Sequence, residues 1–149
     1  MAASGPTVHA SAVLVGARAA LIRGPSGSGK SRLAWDLVTA ARDGLLPFAR
    51  LIADDRVHLE SRSGRLLVRP AQALAGMLEI HGLGILRIEF EAVGVVGLVV
   101  DLAAEDAARS PDEKAGSIII DGVNLPRLAV AAGTVPFPMV LAALHPPRR

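Results

Sequence analysis

An α/β fold, a mixed sheet with few flanking helices, is predicted by three features of this 149-residue chain. Residues 19–23 form an apolar run that enters a glycine-rich loop, and helically spaced apolar residues follow from Ser31, so strand, loop and helix succeed one another. Several short apolar runs separated by turn residues follow Val57, more than alternating β–α units would supply, which calls for antiparallel pairing in the same sheet. The composition is 51% hydrophobic but only 3% aromatic, so the core must be aliphatic, as in buried sheets.

In chain order, residues 8–15 and 19–23 are apolar runs separated by Gly16, Ala17 and Arg18, hence two strands joined by a tight turn. Leu33, Ala34, Leu37, Val38 and Ala41 recur at the spacing of an amphipathic helix, which Gly44 and Pro47 stop. Leu51, Ile52 and Ala53 form a short strand that ends at Asp54 and Asp55; residues 57–60 and 66–69, around a Ser-Arg-Ser-Gly turn, read as a hairpin. Residues 77–80, 85–90, 95–102 and 117–120 are further strands, and 138–144 a closing helix. The polar stretch 103–114 is a long loop, a feature that is commonly functional, and residues 146–149 read as a frayed tail. With no internal repeat and no low-complexity linker, a single domain over residues 1–149 is expected.

Composition excludes several function classes. The net charge is +2 and arginines are scattered without a block of like charge, which is no nucleic-acid footprint. Cysteine is absent, so disulfides, thiolate metal sites and a thiol nucleophile are excluded. No run of about 18 apolar residues occurs, and residues 1–9 lack a basic segment followed by an apolar one, so no membrane insertion and a cytoplasmic location are expected.

Gly24-Pro25-Ser26-Gly27-Ser28-Gly29-Lys30-Ser31 matches the pattern G-x-x-x-x-G-K-[ST] at every required position. That spacing wraps successive backbone N–H groups around a phosphate chain, with Lys30 reaching the β and γ phosphates. Ser31 opens the helix, where its hydroxyl can ligate Mg²⁺ and the helix N-terminus favours negative charge. A Gly/Ser loop can also merely turn a strand into a helix, but here the apolar strand before it and the amphipathic helix after it supply the context of a nucleotide site for ATP.

Asp54 and Asp55 stand at the C-terminal end of a short strand, where open α/β sheets place their ligand crevice. Phosphoryl transfer to a hydroxyl needs a group that orients or accepts its proton, and a carboxylate here is a natural source. Asp-Asp after a strand is also an ordinary solvated turn. Adjacent residues of a strand point to opposite faces, so, unless the strand has already ended, the two aspartates are assigned different tasks, one near a metal or its water and one at a substrate hydroxyl.

Several motifs occur together in order: His9; the loop Gly24 to Ser31; Ile52-Ala53-Asp54-Asp55; Leu78-Glu79-Ile80-His81-Gly82-Leu83-Gly84-Ile85; and Arg109 with Pro111. With them the chain resembles the HPr kinase/phosphorylases, bacterial enzymes that phosphorylate a serine of the phosphocarrier protein HPr and can remove it by phosphorolysis. The resemblance implies a P-loop kinase-like fold of the HPr kinase C-terminal domain and PEP carboxykinase-like type. It further implies ATP and Mg²⁺ as cofactors, the HPr of a bacterial phosphotransferase system as partner, and a hexamer. Asp55 would be the base that takes the serine proton and returns it in phosphorolysis, Glu79 would join Ser31 at magnesium, and His9, Lys30 and Arg109 would complete the catalytic site, with Asp54 a supporting carboxylate.

Two features depart from the family pattern. His81 stands where arginine usually precedes Gly-Leu-Gly, and Val123-Asn124-Leu125-Pro126-Arg127 only echoes a proline-glycine-arginine-asparagine signature. The chain also begins almost at the catalytic domain, like the short alphaproteobacterial type associated with sensor-kinase regulation. Two other readings stay open: a nucleotide-binding regulatory module with weak or lost transfer that contacts a sensor kinase, which His81 favours, and a small-molecule P-loop kinase, which the lack of a long helical lid insertion disfavours.

Overall fold

The computed structural model describes residues 5–107 and 116–144. The chain runs through β1 (Val8–His9), β2 (Ser11–Val15), β3 (Arg18–Arg23), α1 (Lys30–Arg42), β4 (Ala49–Ala53), β5 (Arg56–Arg62) and β6 (Arg65–Pro70). After a 3-10 turn (Gln72–Leu74) come β7 (Met77–Ile80), β8 (Gly84–Arg87), β9 (Gly94–Leu102), β10 (Ser117–Ile120), β11 (Val123–Val130) and α2 (Phe137–Leu144).

Nine strands form one sheet in the order β1-β5-β6-β9-β3-β2-β4, with β11 also on β9 and β10 on β11. Strands β3, β9 and β11 are parallel and every other pair is antiparallel, so the sheet is mixed as the sequence predicts. The edge of β9 is shared: β6 pairs with Val95 and Gly94, and β11 takes over from Val99 to Leu102.

The central strands are buried on both faces, and the period-2 alternation of a strand divides their side chains. Val13, Ile22, Leu51 and Val100 join a cluster with Leu33, Leu37 and Val38 of α1 and Val140 of α2. Ala12, Leu21, Ile52 and Val99 face the other way, into a cluster with Val57, Leu66, Val68, Val123 and Leu125. Strands β4 and β6, and β2 and β5, touch although they are not neighbours in the sheet, so the sheet curls over its second face, which is why so few helices suffice to cover it.

Two sequence expectations differ from the structure. The strand expected over 85–90 ends at Arg87 and pairs only with β7 in a separate two-stranded sheet, while Phe90 makes one isolated bridge to Leu51. Strand β11 is not anticipated as a strand at all, because Asn124, Pro126 and Arg127 interrupt the apolar alternation. Pro126, which has no N–H to give, precedes the parallel pairing that begins at Arg127, and so is tolerated. The polar loop is described only as far as residue 107; Arg109, Pro111 and the tail 146–149 lie outside the described residues.

The pairing directions bring the glycine loop and the aspartate pair to one edge. The C-terminal ends of β3, β9 and β11 share one edge. Strand β2 is antiparallel to both β3 and β4, so its first residue, Ser11, lies at that same edge and β4 delivers Asp54 there.

Candidate active site

Strand β3 stops at Arg23 and the glycine loop leads into α1. At Gly24 (φ 156°) a Cβ would lie 2.5 Å from Ser28 Oγ and 3.1 Å from the Leu102 carbonyl oxygen, so the loop closes this tightly only on glycine. Gly29 caps α1 in the left-handed region at φ 102°, with no side-chain cap and no acidic residue in the first turn. The positive end of the helix is therefore left for an anion.

Lys30 is buried and its ammonium donates to the carbonyls of Gly24 at 2.8 Å and Pro25 at 3.0 Å, lying along the loop it is expected to serve. Burial holds its pKa below the ordinary lysine value, while the charges of Asp55 and Asp54 oppose that shift. The Ser28 hydroxyl, inside the loop, is buried without a hydrogen-bond partner, an orphan of the kind a phosphate oxygen could satisfy. Beside the loop a cavity of ≈ 270 Å³ is walled by Pro25 to Ser28, by Leu102 and Ala103 at the end of β9, and by Val130 and residues after it at the end of β11.

The two aspartates are separated as the sequence argument expects, though by a turn rather than by strand alternation. Asp54, only 5% exposed, accepts from the hydroxyl of Ser11 at 2.6 Å, from that of Ser31 at 2.8 Å and from the backbone N–H of Glu79 at 3.2 Å. A buried carboxylate needs such donors, because desolvating it unsatisfied costs several kcal/mol, roughly. Asp55 instead is exposed and takes φ 75°, and Arg56 N–H donates across it to the Asp54 carbonyl at 2.9 Å. That is a γ-turn of the strained hand, at a cost of about 1–3 kcal/mol. It presents the Asp55 carboxylate to His9, whose Nε2 must be the donor and lies 2.7 Å from Oδ1.

The fold thus gathers His9, Lys30, Ser31, Asp54 and Asp55, and brings the backbone of Glu79 to Asp54 while leaving its side chain exposed. Among the described residues no group of three or more His, Asp or Glu forms a ready metal cage. Magnesium needs none, since it keeps waters and phosphate oxygens and takes one or two protein oxygens; the Ser31 hydroxyl and the Asp54 carboxylate, adjacent at 2.8 Å, are a donor set that fits it.

Two features of this edge are missed by the sequence reading. One is Ser11, fully buried between the two aspartates. The other is a chain of ion pairs immediately under the loop: Arg23 meets Asp101 through two bonds of 2.7 and 2.9 Å, Arg127 donates to Asp101 at 2.6 Å, and the same guanidinium grips Asp106 at 2.7 and 2.9 Å. Burial pushes the Asp101 carboxyl up, but the hydrogen bonds and charges of Arg23 and Arg127 outweigh it and hold it below the usual carboxylate range. Arg127 in turn keeps Asp106 low, and the two aspartates raise Arg127 above an ordinary arginine. The rule that flags Asp54, a carboxylate at the C-terminal end of a strand, would equally have flagged Asp101.

The motifs on this edge are also those of a known family. A profile described as HPr Serine kinase C-terminal domain matches residues 2–107, which include His9, the glycine loop, both aspartates and Glu79. The chain belongs to the HPr kinase C-terminal domain family. It is 32% identical over 117 residues to an HPr kinase/phosphorylase of Geobacter sulfurreducens, a span covering 72% of this chain and 34% of that protein. To an HPr kinase/phosphorylase of Streptococcus thermophilus it is 39% identical over 83 residues, covering 55% and 25%. The chain therefore spans only a fifth to a third of the curated relatives it matches. The fold agrees with that of the Hpr(Ser) kinase/phosphatase from Coxiella burnetii, at a TM-score of 0.73 and 21% identity over 94% of this chain and 88% of the other. Arg127 and the rest of β11 lie beyond the matched residues of the HPr kinase family. Among the described residues no helix is long and apolar enough to cross a membrane.

Proposed function

We propose that this chain is an ATP- and Mg²⁺-dependent protein kinase that phosphorylates a serine of an HPr-type phosphocarrier in the cytoplasm, as a regulatory step of a bacterial phosphotransferase system. The observation that carries the reading is the separation of neighbouring carboxylates: that of Asp54 is buried on Ser31 at the phosphate loop, and that of Asp55 is held out beside His9. A bound Mg²⁺ would supply positive charge to the phosphate oxygens.

The chain's own residues do the rest. The loop amides and Lys30 hold the β and γ phosphates, and the cavity beside the loop receives the nucleoside. Ser31, with Asp54 behind it and Glu79 of β7, would hold the metal. Asp55 accepts the proton of the substrate serine as its oxygen bonds to the γ-phosphorus and the bond to the ADP oxygen breaks. His9 orients that carboxylate, and Arg109 would add positive charge to the phosphoryl group. In the reverse sense Asp55 returns the proton as inorganic phosphate takes the phosphoryl group from phosphoserine and leaves as pyrophosphate. A hexamer belongs to the same reading; contact with a sensor kinase belongs to the alternative, a regulatory module with weak or lost transfer.

The test is to follow γ-labelled ATP with Mg²⁺ and purified HPr, using the native chain and Lys30→Ala. Label on a serine of HPr, reduced roughly 100-fold or more in the variant, supports the kinase. Tight ATP binding that needs Lys30 but leaves HPr unlabelled would support the regulatory module instead, and label on a metabolite the small-molecule kinase.

A further inference from the structure

Three consecutive residues grip the three functional groups of Asp55. His9 meets its carboxylate at 2.7 Å, the Ala10 N–H donates to its carbonyl at 3.2 Å, and the Ser11 hydroxyl accepts from its N–H at 3.4 Å. We propose that Ser11 is a positioning residue for phosphoryl transfer: its hydroxyl holds the turn over 54–56 that presents Asp55. The role in transfer rests on the kinase reading above; the hold on the turn does not.

Ser11 is completely buried at the first position of β2, between Ala10 and Ala12, where a small apolar residue would satisfy packing as well. A buried hydroxyl is retained at such a place only with partners. It has one proton and two lone pairs, and both functions are used: the proton goes to Asp54 Oδ1 at 2.6 Å, and a lone pair takes the Asp55 N–H. One side chain therefore ties down both neighbours at once.

The tie is needed because Asp55 sits in the left-handed region at φ 75°, which a non-glycine residue adopts only when its surroundings hold it there. It also outlasts a change at the phosphate loop. Ser31, the other hydroxyl on Asp54, has a single proton and would turn its oxygen toward a cation, whereas Ser11 and the Glu79 N–H stay on Asp54. Of the three grips on Asp55, only the one from Ser11 can be removed by substitution without touching the backbone or the group beside the transferred proton.

The experiment compares the native chain with Ser11→Ala and Ser11→Thr in steady-state phosphorylation of HPr and in amide hydrogen exchange. In Ser11→Ala, kcat is expected to fall roughly 10- to 100-fold with the KM for ATP within about twofold, since a misplaced base costs rate and not nucleotide binding. The amides of Ala10, Asp55 and Arg56 should exchange roughly tenfold faster while those of β3 and β9 keep their protection, and Ser11→Thr, which restores the hydroxyl, should recover kcat to within about threefold. An unchanged kcat in Ser11→Ala, or a loss accompanied by faster exchange throughout β3 and β9, would overturn the proposal. If the native chain does not phosphorylate HPr, the kinase reading fails by itself. The exchange of Asp55 and Arg56 then decides the rest: acceleration in Ser11→Ala sustains the hold on the turn, and unchanged rates overturn it.

Discussion

Asp54 and Asp55 are identical in chemistry and adjacent in sequence, and nothing but their surroundings separates the tasks proposed for them. Asp54 is closed in by the hydroxyls of Ser11 and Ser31 and the N–H of Glu79. Asp54→Ala would strand those donors in a dry site, and is expected to cost about 2–3 kcal/mol and to lower Tm by roughly 5–10 °C by calorimetry. At this scale the sequence was informative wherever a motif has fixed spacing: the loop from Gly24 to Ser31, the aspartate pair and, by resemblance, His9. It was silent on Ser11, because a lone serine in a strand has many uses and only the fold shows which carboxylate it faces. Glu79 illustrates the opposite limit, its backbone reaching Asp54 while its carboxylate stays exposed.

Among the elements, β3, β9 and β11 are joined below the glycine loop by Arg23, Asp101 and Arg127. The folded pKa of Asp101 lies below its unfolded value. Its contribution is therefore fully present above the unfolded carboxylate pKa of about 3.9 and is lost as pH falls from there through the folded value. Asp101→Asn should lower Tm by roughly 5–8 °C at pH 7, about 2 kcal/mol for charged hydrogen bonds lost, and the difference from the native chain should shrink toward pH 3 in thermal melts. A difference that stays constant with pH would remove the ion pairs from the account. Strands β2 to β6, β9 and α1 are legible in the sequence because each is a clean apolar run or helical pattern bounded by turns. Strand β11 is not, since it trades alternation for Arg127, whose long-range partners no local pattern displays.

Over the whole molecule, the curled mixed sheet brings parts distant in sequence to one edge: residues 9–11, the loop at 24–31, the turn at 54–56 and the end of β9 at Asp101. The mixed α/β class was readable from the run of strands after the helix, but the path of the sheet was not, because the sharing of one edge of β9 between β6 and β11 depends on curvature rather than on local propensity. The positions gathered at this edge all lie within residues 2–107, the span matched by the HPr kinase C-terminal domain profile. The central claim is that Asp55, and not Asp54, takes the serine proton. It is tested most directly by measuring Mg²⁺-ATP affinity and single-turnover transfer to HPr for the native chain and Asp55→Asn side by side. Asparagine tolerates the left-handed turn, so the substitution removes the carboxylate and little else. The account expects ATP affinity within about threefold and transfer slower by roughly 10²- to 10⁴-fold; an Asp55→Asn chain that phosphorylates HPr at the native rate would contradict it.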